Sequence, residues 1–205
     1  MCPPAMTPAQ PDLFADAAPG PALPQGFRYQ PDVITPEAEA ALLARIADLP
    51  FKPFEFHGYL GKRQVVSFGW RYDYSARAVG PAEPMPDFLL ALREQAARFA
   101  GLEAGDLRQA LVTQYAPGAG IGWHRDKPMF GEVVGISLGA PCTLRFRRAA
   151  PGGLWERRVV TPAPRSAYLL AGEARHVWEH SIPPVDQARH SITFRRYPAD
   201  TAAAR

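Results

Sequence analysis

The chain has 205 residues, 47% of them hydrophobic and 11% aromatic, with a formal net charge of +3. That is enough for one domain with a full core, and the composition is globular rather than disordered. The longest apolar runs, such as Ala40–Ala44, fall far short of the ~20 residues of a membrane-spanning helix, no basic-then-apolar leader opens the chain, and Cys2 and Cys142 lack the spacing of a zinc site or disulfide framework.

A soluble, cytoplasmic, monomeric protein that makes no use of a membrane is therefore expected. Residues 1–26 carry seven prolines and are expected to form a disordered tail, with Leu13-Phe14 docking on the domain at 27–205. Thr35-Pro36-Glu37 reads as an N-cap with proline at the first helical position. It opens a helix to Leu49 that buries Ala38, Ala41, Leu42 and Ile46. Gln64–Tyr74 reads as a strand with one aromatic face, at Phe68, Trp70, Tyr72 and Tyr74. A second helix runs from Asp87 through Phe99 to a stop at Gly101. Short apolar or alternating runs then follow at 110–115, 133–138, 143–148, 157–161, 167–170 and 191–197. Six strands after two helices predict a mostly β fold with flanking helices, a sandwich or barrel.

Of the five histidines, His124 is the most informative, because His124-Arg125-Asp126 follows a Pro/Gly loop. Extended backbone would put His124 and Asp126 on one face. A third ligand, His180 or His176, would complete two imidazoles and a carboxylate, leaving three positions open on an octahedral iron. A satisfied structural histidine explains the same residues. Arg189 and Arg195 also share a face by parity, opposite Ile192 and Phe194. That face is either solvent or the interior of a barrel, and two inward arginines need carboxylate partners, such as a dicarboxylate ligand. From Arg145 to Arg196 there are ten arginines, no lysine and four acids, an excess of six positive charges. Arginine alone suits bidentate recognition of carboxylate or phosphate, which admits nucleic acid as a partner.

Tyr115, His124-x-Asp126, His180 and Arg189-x5-Arg195, in this order, resemble the AlkB family of Fe(II)- and 2-oxoglutarate-dependent dioxygenases. Gln114–Gly118, Ile136–Gly139, Leu170–Arg175 and His180–Ile182 extend the likeness over residues 27–197. The His-x-Asp…His triad occurs in many oxygenases, whereas Arg-x5-Arg within a Thr-Phe-Arg segment is more specific. The resemblance implies a double-stranded β-helix (jelly-roll) core, with His124, Asp126 and His180 as catalytic iron ligands. It places His176 outside the metal shell and assigns 2-oxoglutarate to Tyr115, Arg189 and Arg195. Thr113 and Ser191 stand where the family often has asparagine, and Thr113 has the shorter reach for a cosubstrate hydrogen bond.

The activity implied is oxygenation with O2 and 2-oxoglutarate, yielding succinate and CO2, and formaldehyde where the oxidised carbon is an N-methyl group. The segment around Gln64–Tyr74 would then be a lid over substrate. Trp70, Tyr72 and Trp178 are its candidate contacts, since aromatic stacking beside arginine suits a flipped base. N-alkylated bases of DNA or RNA are the favoured substrate; a protein or a modified tRNA nucleoside is the alternative. A non-catalytic binding module is the third reading, and the intact triad and arginine pair speak against it.

Overall fold

The computed structural model describes residues 22–56, 59–73 and 78–197, and within strands the side chains of 56, 59, 71–73, 78 and 79 lie outside the description. Most of the proposed tail, including Leu13-Phe14, also lies outside the described residues, as does Tyr74. Among the described residues thirteen strands and three α-helices follow one another. They are β1 (Phe27–Gln30), α1 (Pro36–Ala47), β2 (Lys52–Phe56), β3 (Tyr59–Phe68), β4 (Trp70–Asp73), β5 (Ala78–Pro81) and α2 (Asp87–Ala100). Next come β6 (Leu107–Tyr115), β7 (Ile121–His124), β8 (Val133–Leu138), β9 (Leu144–Ala149), β10 (Trp155–Val160), β11 (Ala167–Leu170), α3 (Gly172–His176), β12 (Glu179–Ile182) and β13 (Arg189–Arg196).

The strands form a seven-stranded sheet in the order β1-β11-β8-β13-β6-β3-β2, a four-stranded sheet β10-β9-β12-β7, and a two-stranded finger β4-β5. All described pairings are antiparallel, and the architecture is the jelly roll with flanking helices that the sequence predicts. Two cores result. Leu42, Ile46, Leu89 and Leu92 of the helices pack on Ala110, Val112, Ile136, Ile192 and Phe194, the outer face of the large sheet. Tyr115, Val133, Leu144, Phe146, Tyr168 and Leu170 fill the space between the sheets. Strand β8 is buried along its whole length because both of its faces are covered.

Helix α1 begins as expected, with Thr35 Oγ accepting from the Ala38 N–H at 3.2 Å and Pro36 in the first turn, a cap that contributes about 1 kcal/mol. Its buried face differs from the expectation, since Ala41 is exposed and Glu39 is buried instead. The Glu39 carboxylate accepts from the Gly139 N–H at 2.8 Å and pairs with Arg165 at 3.1 Å. Helix α2 stops at Gly101, which takes the left-handed conformation at φ 71°.

The strand read over Gln64–Tyr74 is two strands. Gly69 adopts φ +76°, and a Cβ there would overlap the Arg108 carbonyl oxygen. The chain turns out of the large sheet at that point, so Phe68 stays in the core while Trp70 starts the finger. Ahead of β1, Pro24 and Gln25 accept from the amides of Phe27 and Ala174 at 2.9 Å each, fixing the residues just before the first strand. No helix among the described residues is long and apolar enough to cross a membrane.

Candidate active site

The small sheet brings the two halves of the triad together. His124, at the end of β7, is the register partner of His180 on β12, and their ring centroids lie 4.3 Å apart. His124 Nδ1 is 2.9 Å from the Gly122 carbonyl. That oxygen only accepts, so Nδ1 carries a proton.

Asp126 is not placed by strand alternation, because β7 ends at His124. Its position comes from Arg175, buried on α3. The Arg175 Nε–H donates to the Gly131 carbonyl at 2.8 Å, and its terminal nitrogens donate to the carbonyls of Asp126 (3.2 Å), Lys127 (2.6 Å) and Phe130 (2.8 Å). One guanidinium thus gathers the whole loop that carries the carboxylate. The Asp126 Oδ1 accepts from Arg195 Nη2 at 3.0 Å and Nε at 3.2 Å, and Oδ2 lies 3.9 Å from His180 Nε2.

The electrostatics suit a metal-holding set. Burial pushes the Asp126 carboxyl up, but Arg195 and then the two histidines outweigh it and hold it well below the usual carboxylate range. Burial, with help from His124, pushes His180 down to about 3 against the pull of Asp126. A neutral imidazole at His180 and an ionised carboxylate at Asp126 are donors that a divalent iron accepts. Among the described residues no three His, Cys, Asp or Glu side chains are closed to metal-holding distances. This trio sits slightly wider, with Asp126 Oδ1 engaged by Arg195. His176 is exposed at the end of α3 and makes no part of the cluster.

Strand β13 supplies the other end of the site. It lies between β6 and β8, and since Ile192 and Phe194 pack on the helix side while Arg189 lies over Tyr115 of the inter-sheet core, the face shared by Arg189 and Arg195 is the barrel interior. Arg189, 1% exposed, donates from Nη2 to Ser137 Oγ at 3.0 Å and lies over the Tyr115 ring at 4.8 Å. Its Nε and Nη1 have no protein partner. An unpaired buried guanidinium is costly, and acceptor oxygens of a ligand would satisfy these N–H groups, which lie on different edges of the guanidinium. Thr113 and Ser191 are buried register partners, with Ser137 across the next pairing. The two positions where asparagine is frequent thus face each other beneath Arg189. Arg195 is already occupied, by Asp126 and by Gln109 Oε1 at 3.2 Å. The two arginines do different work.

The three substrate candidates are scattered. Trp70 stacks on Tyr197 at 5.3 Å. Tyr197 in turn meets Phe130 at 6.1 Å, and Arg195 lies over Phe130 at 5.8 Å, so Trp70 is joined to the site by contacts. The side chain of Tyr72 lies outside the described residues. Trp178 is buried in the inter-sheet core, with Arg148 over its ring at 4.7 Å and Arg158 at 5.8 Å. Sequence reasoning missed Arg175, Ser137, Gln109 and Phe130. Arg175 belongs to the Leu170–Arg175 segment that supports the resemblance, but a five-residue helix has no periodicity from which its direction could be read.

The 2OG-Fe(II) oxygenase superfamily profile matches residues 26–198, and the chain belongs to that superfamily, whose reagents are Fe(II) and 2-oxoglutarate. Among similar proteins is the "Alkylated DNA repair protein ALKBH8 homolog" of Arabidopsis thaliana, 27% identical over 198 residues, 83% of this chain and 55% of that one. Another is the "tRNA (carboxymethyluridine(34)-5-O)-methyltransferase alkbh8" of Xenopus tropicalis, 33% identical over 171 residues, 80% of this chain and 26% of that one. The chain thus spans about half and about a quarter of those two relatives. The solved structure of OsALKBH1 superposes with a TM-score of 0.62 at 17% identity, covering 86% of this chain and 98% of that one. Within that superfamily the chain is similar to AlkB-like proteins.

Proposed function

We propose that the protein is an Fe(II)- and 2-oxoglutarate-dependent oxidative demethylase of N-alkylated bases in DNA or RNA. The observation that carries the site assignment is the inward face of β13. One end presents a buried arginine with two N–H groups lacking a protein partner, and the other presents an arginine bonded to the carboxylate beside His180. In this reading His124, Asp126 and His180 hold iron, and Arg189, Tyr115 and Thr113 take the distal carboxylate of 2-oxoglutarate. Arg195 steadies Asp126 and borders the cosubstrate.

Bound together, iron and cosubstrate supply the oxidation: O2 and 2-oxoglutarate go to succinate, CO2 and a hydroxylated N-methyl carbon, which leaves as formaldehyde. The protein's part is to fix the ligands, keep His180 unprotonated and exclude water. Trp70, Tyr72 and Trp178 remain the proposed substrate contacts. The name of the Arabidopsis relative supports alkylated nucleic acid as substrate, and that of the Xenopus relative supports the second reading, a modified tRNA nucleoside.

The test is incubation of the iron-loaded protein with 2-oxoglutarate, oxygen and a panel of N-methylated oligonucleotides. Formaldehyde matched to loss of one methylated base, and abolished in His124→Ala, is the expected result. Succinate that rises with tRNA but without formaldehyde would replace demethylation by nucleoside hydroxylation.

A further inference from the structure

An open cavity of about 420 Å³ lies between the start of the β4–β5 finger and α2, within the roughly 300–1,000 Å³ of small-ligand sites. Gly69, Trp70, Met85, Leu90, Arg93 and Arg108 are among its lining residues. None of them belongs to the triad or to the Arg189 site. The turn at Gly69 builds this cavity. Its N–H donates to the Glu83 carbonyl at 2.7 Å, and the Ala82 N–H donates to the Gly69 carbonyl at 2.9 Å. These bonds fasten the finger to the segment ahead of α2 and bring Trp70 beside Arg93.

Only some of the described arginines have an acidic partner. Arg147, Arg148, Arg158, Arg165, Arg195 and Arg196 each pair with a carboxylate. Arg93 and Arg108 have no acidic partner among the described residues, and Arg93 Nε is buried with no hydrogen-bond partner at all. Two guanidiniums with no acidic partner among the described residues, bordering an open cavity with an indole wall, suit an anion joined to a flat group. Among biological ligands that is a nucleotide, with its phosphate on the arginines and its base against Trp70 and Met85.

We infer that this cavity is a second nucleotide subsite, holding a phosphate-bearing unit of a single-stranded nucleic acid whose neighbouring base is presented to the iron. The inference rests on the nucleic-acid reading above and deepens it. The contact chain Trp70–Tyr197–Phe130–Arg195 joins the cavity to the residue that holds Asp126.

The experiment is fluorescence anisotropy of a short, labelled single-stranded oligonucleotide with the full chain, loaded with Fe(II) and 2-oxoglutarate without oxygen, over a range of salt. Arg93→Gln/Arg108→Gln is expected to weaken binding about tenfold. It should also flatten the plot of log affinity against log salt by about 0.7–1.4, one or two phosphates' worth for a single strand. Each single variant should give roughly half of that, Arg93→Lys/Arg108→Lys should restore the slope, and Arg98→Gln, exposed on the same helix, should change neither. Wild-type affinity and slope in the double glutamine variant would overturn the subsite alone. Failure of the wild type to bind any strand would overturn the nucleic-acid reading and the subsite with it.

Discussion

Arg189 shows most plainly how single residues trade stability for function here. Its guanidinium is buried with one side-chain hydrogen bond and a tyrosine face, and two of its nitrogens have no protein partner. Methionine fills a similar volume without the charge, so Arg189→Met is expected to stabilise the metal-free protein by about 1–3 kcal/mol. Thermal unfolding measures this, and a lower Tm would contradict it. His180 gives a second expectation. Its folded pKa lies near 3 against about 6.5 unfolded, so between those values the unfolded chain binds a proton that the folded chain refuses. Stability therefore falls as pH drops below about 6.5, by up to about 1.4 kcal/mol per pH unit. Urea titrations at pH 7.5 and 5 should show the loss shrinking in His180→Gln, and an unchanged loss would sink the assignment. Parity showed from sequence that Arg189 and Arg195 share a face. Which side that face meets depends on β6 and β8 flanking β13, and no local pattern carries that.

Two elements place groups that strand periodicity cannot. The first is α3, whose Arg175 holds four carbonyls of the 126–131 loop. Lysine has neither the fork nor the donor count, so Arg175→Lys should speed hydrogen exchange across 126–131 and weaken metal binding about 10–100-fold, as for other groups that orient ligands. Unchanged metal affinity with a lowered Tm would make Arg175 a structural residue only. The second is the Gly69 turn. Gly69→Ala should cost several kcal/mol, since φ +76° and the Arg108 carbonyl both exclude a side chain; a shift in Tm under 2 °C would contradict this. Strands β6, β8, β9, β10, β11 and β13 were legible because their apolar runs are long enough to show. Strand β12 was not: it has four residues between a short helix and Pro183. Strand β2 contains Pro53 and lies at a sheet edge, where proline is tolerated and alternation is weak. Glu39 was unreadable for another reason. Its partners, Gly139 and Arg165, are about a hundred residues or more away.

Across the whole molecule, the arginine excess between 145 and 196 turns out to be largely internal. Arg147, Arg148, Arg158, Arg165, Arg195 and Arg196 are paired, Arg175 holds a loop, and Arg189 lines the barrel. Regional charge counting does not distinguish a guanidinium that faces a carboxylate from one that faces solvent. The uncompensated arginines that border a cavity, Arg93 and Arg108, lie earlier in the chain. The His124-x-Asp126…His180 and Arg189-x5-Arg195 patterns were legible as motifs, whereas the Asp126 loop, the Ser137 contact and the split of the Gln64–Tyr74 strand emerge only from tertiary structure. The most direct test of the whole assignment is calorimetric titration of 2-oxoglutarate into the protein with and without Fe(II), under anaerobic conditions, in wild type and Arg189→Met. One cosubstrate per chain, bound tightly only with metal and at least about 100-fold more weakly in the variant (a loss of about 3 kcal/mol), is the expected result. Binding that ignores both the metal and Arg189 would show that the inward face of β13 is not the cosubstrate site.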